Sequence, residues 1–292
     1  MKTNNIGSKI LHFPLTKILI GFFLIAGLSG GFQLGAGKLL ENLGFDKGLT
    51  GLFSSMVAAV VALLSYRFLF RWYEKRSIEE IGDLNLGKNL LIGFSLGFVL
   101  MSSTILVMFF NSSYKILAMN PIASLLPALA MAISSSVLEE ILFRGVLFRI
   151  VEERLGSYIS LLISALVFGL LHLMNPNSSL MMGLGLAIQA GLLLGVLYMY
   201  SRNLWLPIAV HFAWNFTLGG VWGAAVSGVP LEKSLITASI QGNELITGGS
   251  FGPEGSVQAT LFCLLATAVL FTICYKQDKI QKPFWAKSFH EN

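Results

Sequence analysis

Uncharged, mostly apolar positions run through long stretches of the chain, and the charged residues gather between them. The uncharged runs are Ile18 to Gly37, Gly48 to Tyr66, Asn89 to Tyr114, Ile116 to Leu138, Leu155 to Ser201, Asn203 to Leu231 and Gly255 to Tyr275. A helix rising about 1.5 Å per residue needs about 20 predominantly apolar residues to cross a hydrocarbon layer about 30 Å thick. All seven runs are of that order or longer. The run from Leu155 to Ser201 is long enough for two crossings and is interrupted by the polar turn sequence Asn175-Pro176-Asn177-Ser178-Ser179. The pattern predicts an all-α fold, a polytopic membrane helix bundle of about eight transmembrane helices.

The fourth span needs a boundary that the run alone does not supply. Asn111-Ser112-Ser113 and Asn120-Pro121 are turn signals, so residues 111–121 are expected to form a loop and the span to extend from about Ile122 to Ile150. That tilted helix keeps Glu139 and Glu140 within the membrane and leaves Arg149 at its face. Three segments follow: 1–121 with the first three helices, 122–222 as a helical core, and 223–292 with a Gly-rich loop, a last span and a basic tail.

Composition agrees with the pattern. The 292 residues are 54% hydrophobic and 12% charged, with a mean hydropathy of +0.73. Soluble domains carry about 25% charged residues, so an ordinary soluble fold, a disordered chain and a disulfide-stapled secreted scaffold are excluded. The net charge of +5 comes from 20 Lys and Arg against 15 Asp and Glu. Its distribution points to a bilayer rather than to nucleic acid. With the N-terminus cytoplasmic, 15 of the basic residues fall on the inner side, from Lys2, Lys9 and Lys17 to Lys276, Lys279, Lys282 and Lys287. Only Lys38, Lys47, Lys115 and Lys233 fall outside, and Arg144 is left within a span. This bias predicts a multi-pass cell-membrane protein with both termini cytoplasmic. Cys263 and Cys274 share the last span about 16 Å apart, too far to bridge.

An ionisable group within hydrocarbon costs at least about 2.5 to 3.5 kcal/mol, so each one in a span asks for a partner or a function. The candidates are Glu139, Glu140, Arg144, His172 and His211, with Asn215 beside them. Glu140 and Arg144 stand at i and i+4, where an acid meets a base on one helical face. Glu139 points about 100° away and is left free to accept a proton. Phe168 precedes His172 by one turn, and His211 precedes Asn215 by one turn. These patterns on three spans supply a base, an imidazole to share a water, and a donor pair for a developing oxyanion. At about 1.5 Å per residue, Glu139, His172 and His211 lie about 16, 25 and 12 Å from the inner ends of their spans, a spread left for tilt to absorb.

Glu139-Glu140 with Arg144, Phe168 with His172, and His211 with Asn215 resemble the motifs EExxxR, FxxxH and HxxxN of the CAAX-protease and bacteriocin-processing (CPBP, or Abi) family of intramembrane glutamic endopeptidases. The resemblance covers roughly Ser124 to Gly220, and the flanking spans are similar to the family's eight-helix layout. It implies that Glu139 and His172 activate a water, that His211 and Asn215 stabilise the oxyanion, and that Glu140, Arg144 and Phe168 support the site. It also implies a peptide or protein substrate cleaved near the cytoplasmic face; prenylated CAAX tails are the best-known case and are not implied for a bacterial chain. No metal and no cofactor is expected. Partners are a substrate polypeptide and the lipid bilayer, with no nucleic acid. Gly248-Gly249-Ser250-Phe251-Gly252-Pro253-Glu254-Gly255 looks like a segment of some bacterial members, or a flexible glycine-rich loop. A proton-coupled transporter and a non-catalytic membrane scaffold are the competing functions.

Overall fold

The computed structural model describes residues 6–287; Lys2 and His290, and with them both termini, lie outside the described residues. The chain is a helical bundle. After a short helix Ile6–Leu11 come α1 (Pro14–Asn42), α2 (Lys47–Glu74), α3 (Leu86–Phe110), α4 (Leu126–Glu140), α5 (Arg149–Leu171), α6 (Leu180–Ser201), α7 (Trp205–Asn215) and α8 (Val257–Lys276). Local chemistry sets several boundaries. Pro14 opens α1, where its missing N–H is no loss. The Asp46 carboxylate accepts from the Gly48 and Leu49 N–H groups and caps α2, and Ser256 caps α8 through the Ala259 N–H.

Among the described residues, six helices are long and apolar enough to cross a membrane. One of these is a 53-residue helix, Ile122–Met174, that contains α4 and α5. Eight crossings, the number the apolar runs predict, are reached only by counting its two arms separately and adding α7, which at 11 residues is too short to qualify alone. The long helix breaks at Gly156, whose φ of 77° is open to glycine and strained for other residues. A Cβ there would also lie 2.8 Å from the Gln281 carbonyl oxygen, where the C-terminal segment docks.

The all-α expectation meets one small departure. Residues 111–121, expected as a loop, contain strand β1 (Tyr114–Met119), which pairs antiparallel with β2 (Ile236–Ile240). The Tyr114 hydroxyl donates to the Trp222 carbonyl at 2.8 Å, fixing the ladder to the end of the bundle.

Close helix approach places α7. Gly93 and Gly97 on α3 face it, and a Cβ on Gly97 would come within 2.4 Å of the Val210 carbonyl oxygen. Small residues four apart let two helix backbones meet in this way. The long helix is buried at its centre: the eleven residues from Glu140 to Ile150 are all buried. Farther along, ion pairs Lys17–Glu74 (3.2 Å), Arg149–Glu74 (2.9 Å), Arg76–Glu80 (2.5 Å) and Arg202–Glu152 (2.5 Å) close the end of the bundle. Burial works to raise the Glu80 carboxyl, but hydrogen bonds from Arg76 and Tyr66 outweigh it and hold that group below its ordinary value.

Candidate active site

From Glu139 down to Gly156 the chain runs 17 residues, and from Gly156 back up to His172 it runs 16. At about 1.5 Å per residue the two arms are about 25 and 24 Å long, so His172 returns to the level of Glu139. Tilt is therefore not needed to absorb the depth difference expected between these two residues, because the turn lies at Gly156 and not near Ile150.

Glu139 Oε2 stands 3.8 Å from His172 Nε2 and 3.9 Å from His211 Nε2. These separations exceed direct hydrogen bonds. Both imidazoles present Nε2 for a reason. His172 ends α5, where its own backbone N–H turns to the Gly169 and Leu170 carbonyls. The Phe168 carbonyl, one of the last four of the helix, is then met by His172 Nδ1 at 2.8 Å. With Nδ1–H donating there, the neutral tautomer of the ring has its lone pair on Nε2. The Phe168 ring lies against the imidazole with centroids 4.5 Å apart, which fixes the ring plane.

His211 Nδ1 lies 2.9 Å from Glu140 Oε1, so that nitrogen carries the proton it donates to the carboxylate. Glu140 Oε1 also accepts from Arg144 Nη1 at 3.0 Å, and both side chains of this pair are fully buried. The i and i+4 pairing expected from sequence is present. In addition Glu140 orients His211, which sequence spacing did not reveal. Arg144 Nη2 donates to the Ala190 and Gly191 carbonyls, each at 3.2 Å. Both belong to a wide, π-helical turn of α6, Ala187–Gly191, and Arg144 itself sits in a second one, Ile141–Phe148. Wide turns shift the backbone ladder and leave carbonyls open to a side-chain donor. A third, Phe216–Val221, follows Asn215 directly.

Asn215 Nδ2 donates to Ser135 Oγ at 3.0 Å. Ser135 lies one turn before Glu139, so α4 places the carboxylate and the serine on one wall. Glu139, His172, His211 and Asn215 all line a cavity of about 210 Å³, together with Phe168. Glu140 and Arg144 lie behind that wall. Among the described residues, no group of three or more His, Cys, Asp or Glu is arranged to hold a metal ion.

Glu254, which the sequence shows only as part of a glycine-rich loop, also lines the cavity. It is buried, accepting from Trp214 Nε1 at 2.5 Å and from the Ser227 N–H, while Gln189 Nε2 donates to its carbonyl at 2.8 Å. Burial pushes its carboxyl up, against the opposing pull of these N–H donors. A proline and an acid after Gly252 were the available signal, but nothing local says that the loop folds back onto α7.

Residues 121–217 match the model of a family described as Rce1-like, type II CAAX prenyl endopeptidase. No curated protein matches the chain. Glu139, Glu140, Arg144, Phe168, His172, His211 and Asn215 all fall inside the matched segment. Over that segment this multi-pass membrane chain is similar to the Rce1-like CAAX proteases, and the likeness supports an intramembrane endopeptidase acting on a peptide or protein.

Proposed function

We propose that the chain hydrolyses a peptide bond within the membrane by a glutamate- and histidine-activated water. The observation that carries this reading is the meeting of Glu139 Oε2 with two imidazole Nε2 atoms at 3.8 and 3.9 Å in one cavity. Glu139 Oε2 and His172 Nε2 suit a water that donates both its hydrogens, one to the carboxylate and one to the imidazole. Glu139 takes a proton as the water oxygen bonds to the scissile carbonyl carbon and the carbonyl π pair moves onto oxygen. Asn215 keeps a second amide hydrogen beyond the one given to Ser135 and donates it to that oxyanion. His211, when its Nε2 carries a proton, donates beside it. Collapse reforms the carbonyl, breaks the C–N bond and returns the proton from Glu139 to the leaving amine.

Glu140 and Arg144 act as positioning residues in this scheme. Glu140 holds the His211 ring, and Arg144 ties Glu140 to the α6 carbonyls. Phe168 sets the plane of His172. The catalytic core is the segment 122–222, flanked by the N-terminal spans and by the loop, last span and tail; the chain sits in the cell membrane with both termini cytoplasmic. The test is a comparison of membrane proteomes from cells making the parent chain, Glu139→Ala or His172→Ala. New peptide termini are expected only with the parent, while both variants still insert and fold. Equal cleavage by both variants would refute the reading.

A further inference from the structure

The two ends of the bundle differ in charge and in what they offer the cavity. At one end, β1 and β2 pair, and the 172–179 and 222–256 connections meet. Asn175 Nδ2 donates to the Ser227 carbonyl at 2.9 Å, and Asn177 Nδ2 to the Gly228 carbonyl at 3.1 Å. Asn175, Ser227, Val229 and Glu254 from these connections line the same cavity as Glu139. The wall of the cavity is therefore completed by loops from this end.

At the other end lie Arg76, Arg149 and Arg202 with their acidic partners. Between that end and Glu139, the eleven consecutive residues Glu140 to Ile150 are buried, with Phe143, Val146, Leu147 and Phe148 among the core side chains. At about 1.5 Å per residue this is about 16 Å of packed helix. Among the described residues, fourteen Lys and Arg belong to this closed end and four, Lys38, Lys47, Lys115 and Lys233, to the loop end. Basic residues in short loops mark the cytoplasmic side.

We infer that the cavity opens on the side of the membrane opposite the Lys- and Arg-rich face, and that its substrate is a polypeptide segment presented on the non-cytoplasmic side, in contrast to the cleavage near the cytoplasmic face that the family resemblance implies. A tail that stays in the cytoplasm would have to pass the packed layer to reach Glu139. A segment emerging from translocation, or anchored in the outer leaflet, meets the loops around Val229 first. The word substrate rests on the proposed hydrolysis; the direction of opening does not, and the two fail separately.

Single cysteines with a membrane-impermeant maleimide test the opening on the full chain, since the native Cys263 and Cys274 are fully buried. Val229→Cys reports the cavity mouth, Lys233→Cys the loop end and Lys88→Cys the basic end. Val229→Cys and Lys233→Cys are expected to label in intact cells, and Lys88→Cys only in inverted membrane vesicles. Labelling of Lys88→Cys in intact cells, or of Val229→Cys from the Lys88 side alone, overturns the inference. So does a Val229→Cys that labels from neither side while Lys233→Cys labels from outside. Cleavage lost in Glu139→Ala bears only on the hydrolytic reading, so a labelling failure with cleavage intact singles out the direction of opening.

Discussion

Arg144→Met isolates what the buried ion pair contributes. The substitution keeps most of the side-chain length and removes the charge, leaving Glu140 with no exposed surface and His211 Nδ1 as its remaining partner. The Ala190 and Gly191 carbonyls lose their charged donor at the same time. Removing one member of a buried ion pair costs about 3–5 kcal/mol, because the other charge stays behind uncompensated. One guanidinium serves all three acceptors, so their losses overlap and that range is the expected total. In a protein of this size about 2–4 °C of unfolding temperature accompanies each kcal/mol, which places the loss at about 6 °C or more. Glu140→Gln in the same chain removes the stranded charge and still accepts from His211. The double variant is therefore expected to be at least about 1 kcal/mol more stable than Arg144→Met alone. Unfolding in detergent micelles, followed by far-ultraviolet circular dichroism, measures both. An Arg144→Met protein within about 0.5 kcal/mol of the parent, or a double variant whose loss is the sum of the single ones, refutes the reasoning.

Three further outcomes are expected. Asn215→Ala lowers kcat by about 10²–10³ with little change in KM, as loss of one oxyanion donor does, measured on a substrate found by the proteome comparison. Glu254→Ala strands the Trp214 Nε1–H and the Ser227 N–H, destabilising the loop that lines the cavity by about 1–3 kcal/mol; limited proteolysis then cuts within 222–256 faster than in the parent. The folded Glu80 carboxyl lies below its ordinary value, so its share of stability is present above a pH of about 4.3 and is lost as pH falls through the depressed folded value. Unfolding temperature is expected to hold from neutrality to about pH 5 and to fall below about pH 4, with a shallower acid slope in Glu80→Gln.

Much of the candidate site was legible because its parts are local. Glu140 with Arg144, Phe168 with His172, and His211 with Asn215 are each one turn apart, and one turn is what sequence spacing reports. The bundle was legible for the same reason, since uncharged runs of about 20 residues have one common use. Contacts between spans were less so. That Glu140 would hold His211, 71 positions away, depends on how α4 and α7 pack, and that packing is set by Gly93 and Gly97 on a third helix. The wide turns carry no composition of their own, so the partners of Arg144 at Ala190 and Gly191 were out of reach. Glu254 was hidden because its carboxylate is satisfied by Trp214, far along the chain. The apolar runs divide the 53-residue helix into one span ending near Ile150 and another starting near Leu155; the helix in fact continues past Ile150 to a break at Gly156, which depends on a backbone angle that only glycine supplies cheaply.

The complete burial of Arg144 also constrains how the chain is made. A helix carrying Glu139, Glu140 and Arg144 meets an insertion penalty of about 2.5–3.5 kcal/mol for each charge near its centre, set against the apolar residues around them. Glu140 emerges from synthesis before Arg144, but the carbonyls that complete the guanidinium shell arrive 46 and 47 residues later, and His211 later still. Until α6 and α7 are in place, Arg144 lacks the Ala190 and Gly191 carbonyls and Glu140 lacks His211. The partners that complete the polar shell of the fourth helix are therefore among the later-synthesised parts of the bundle.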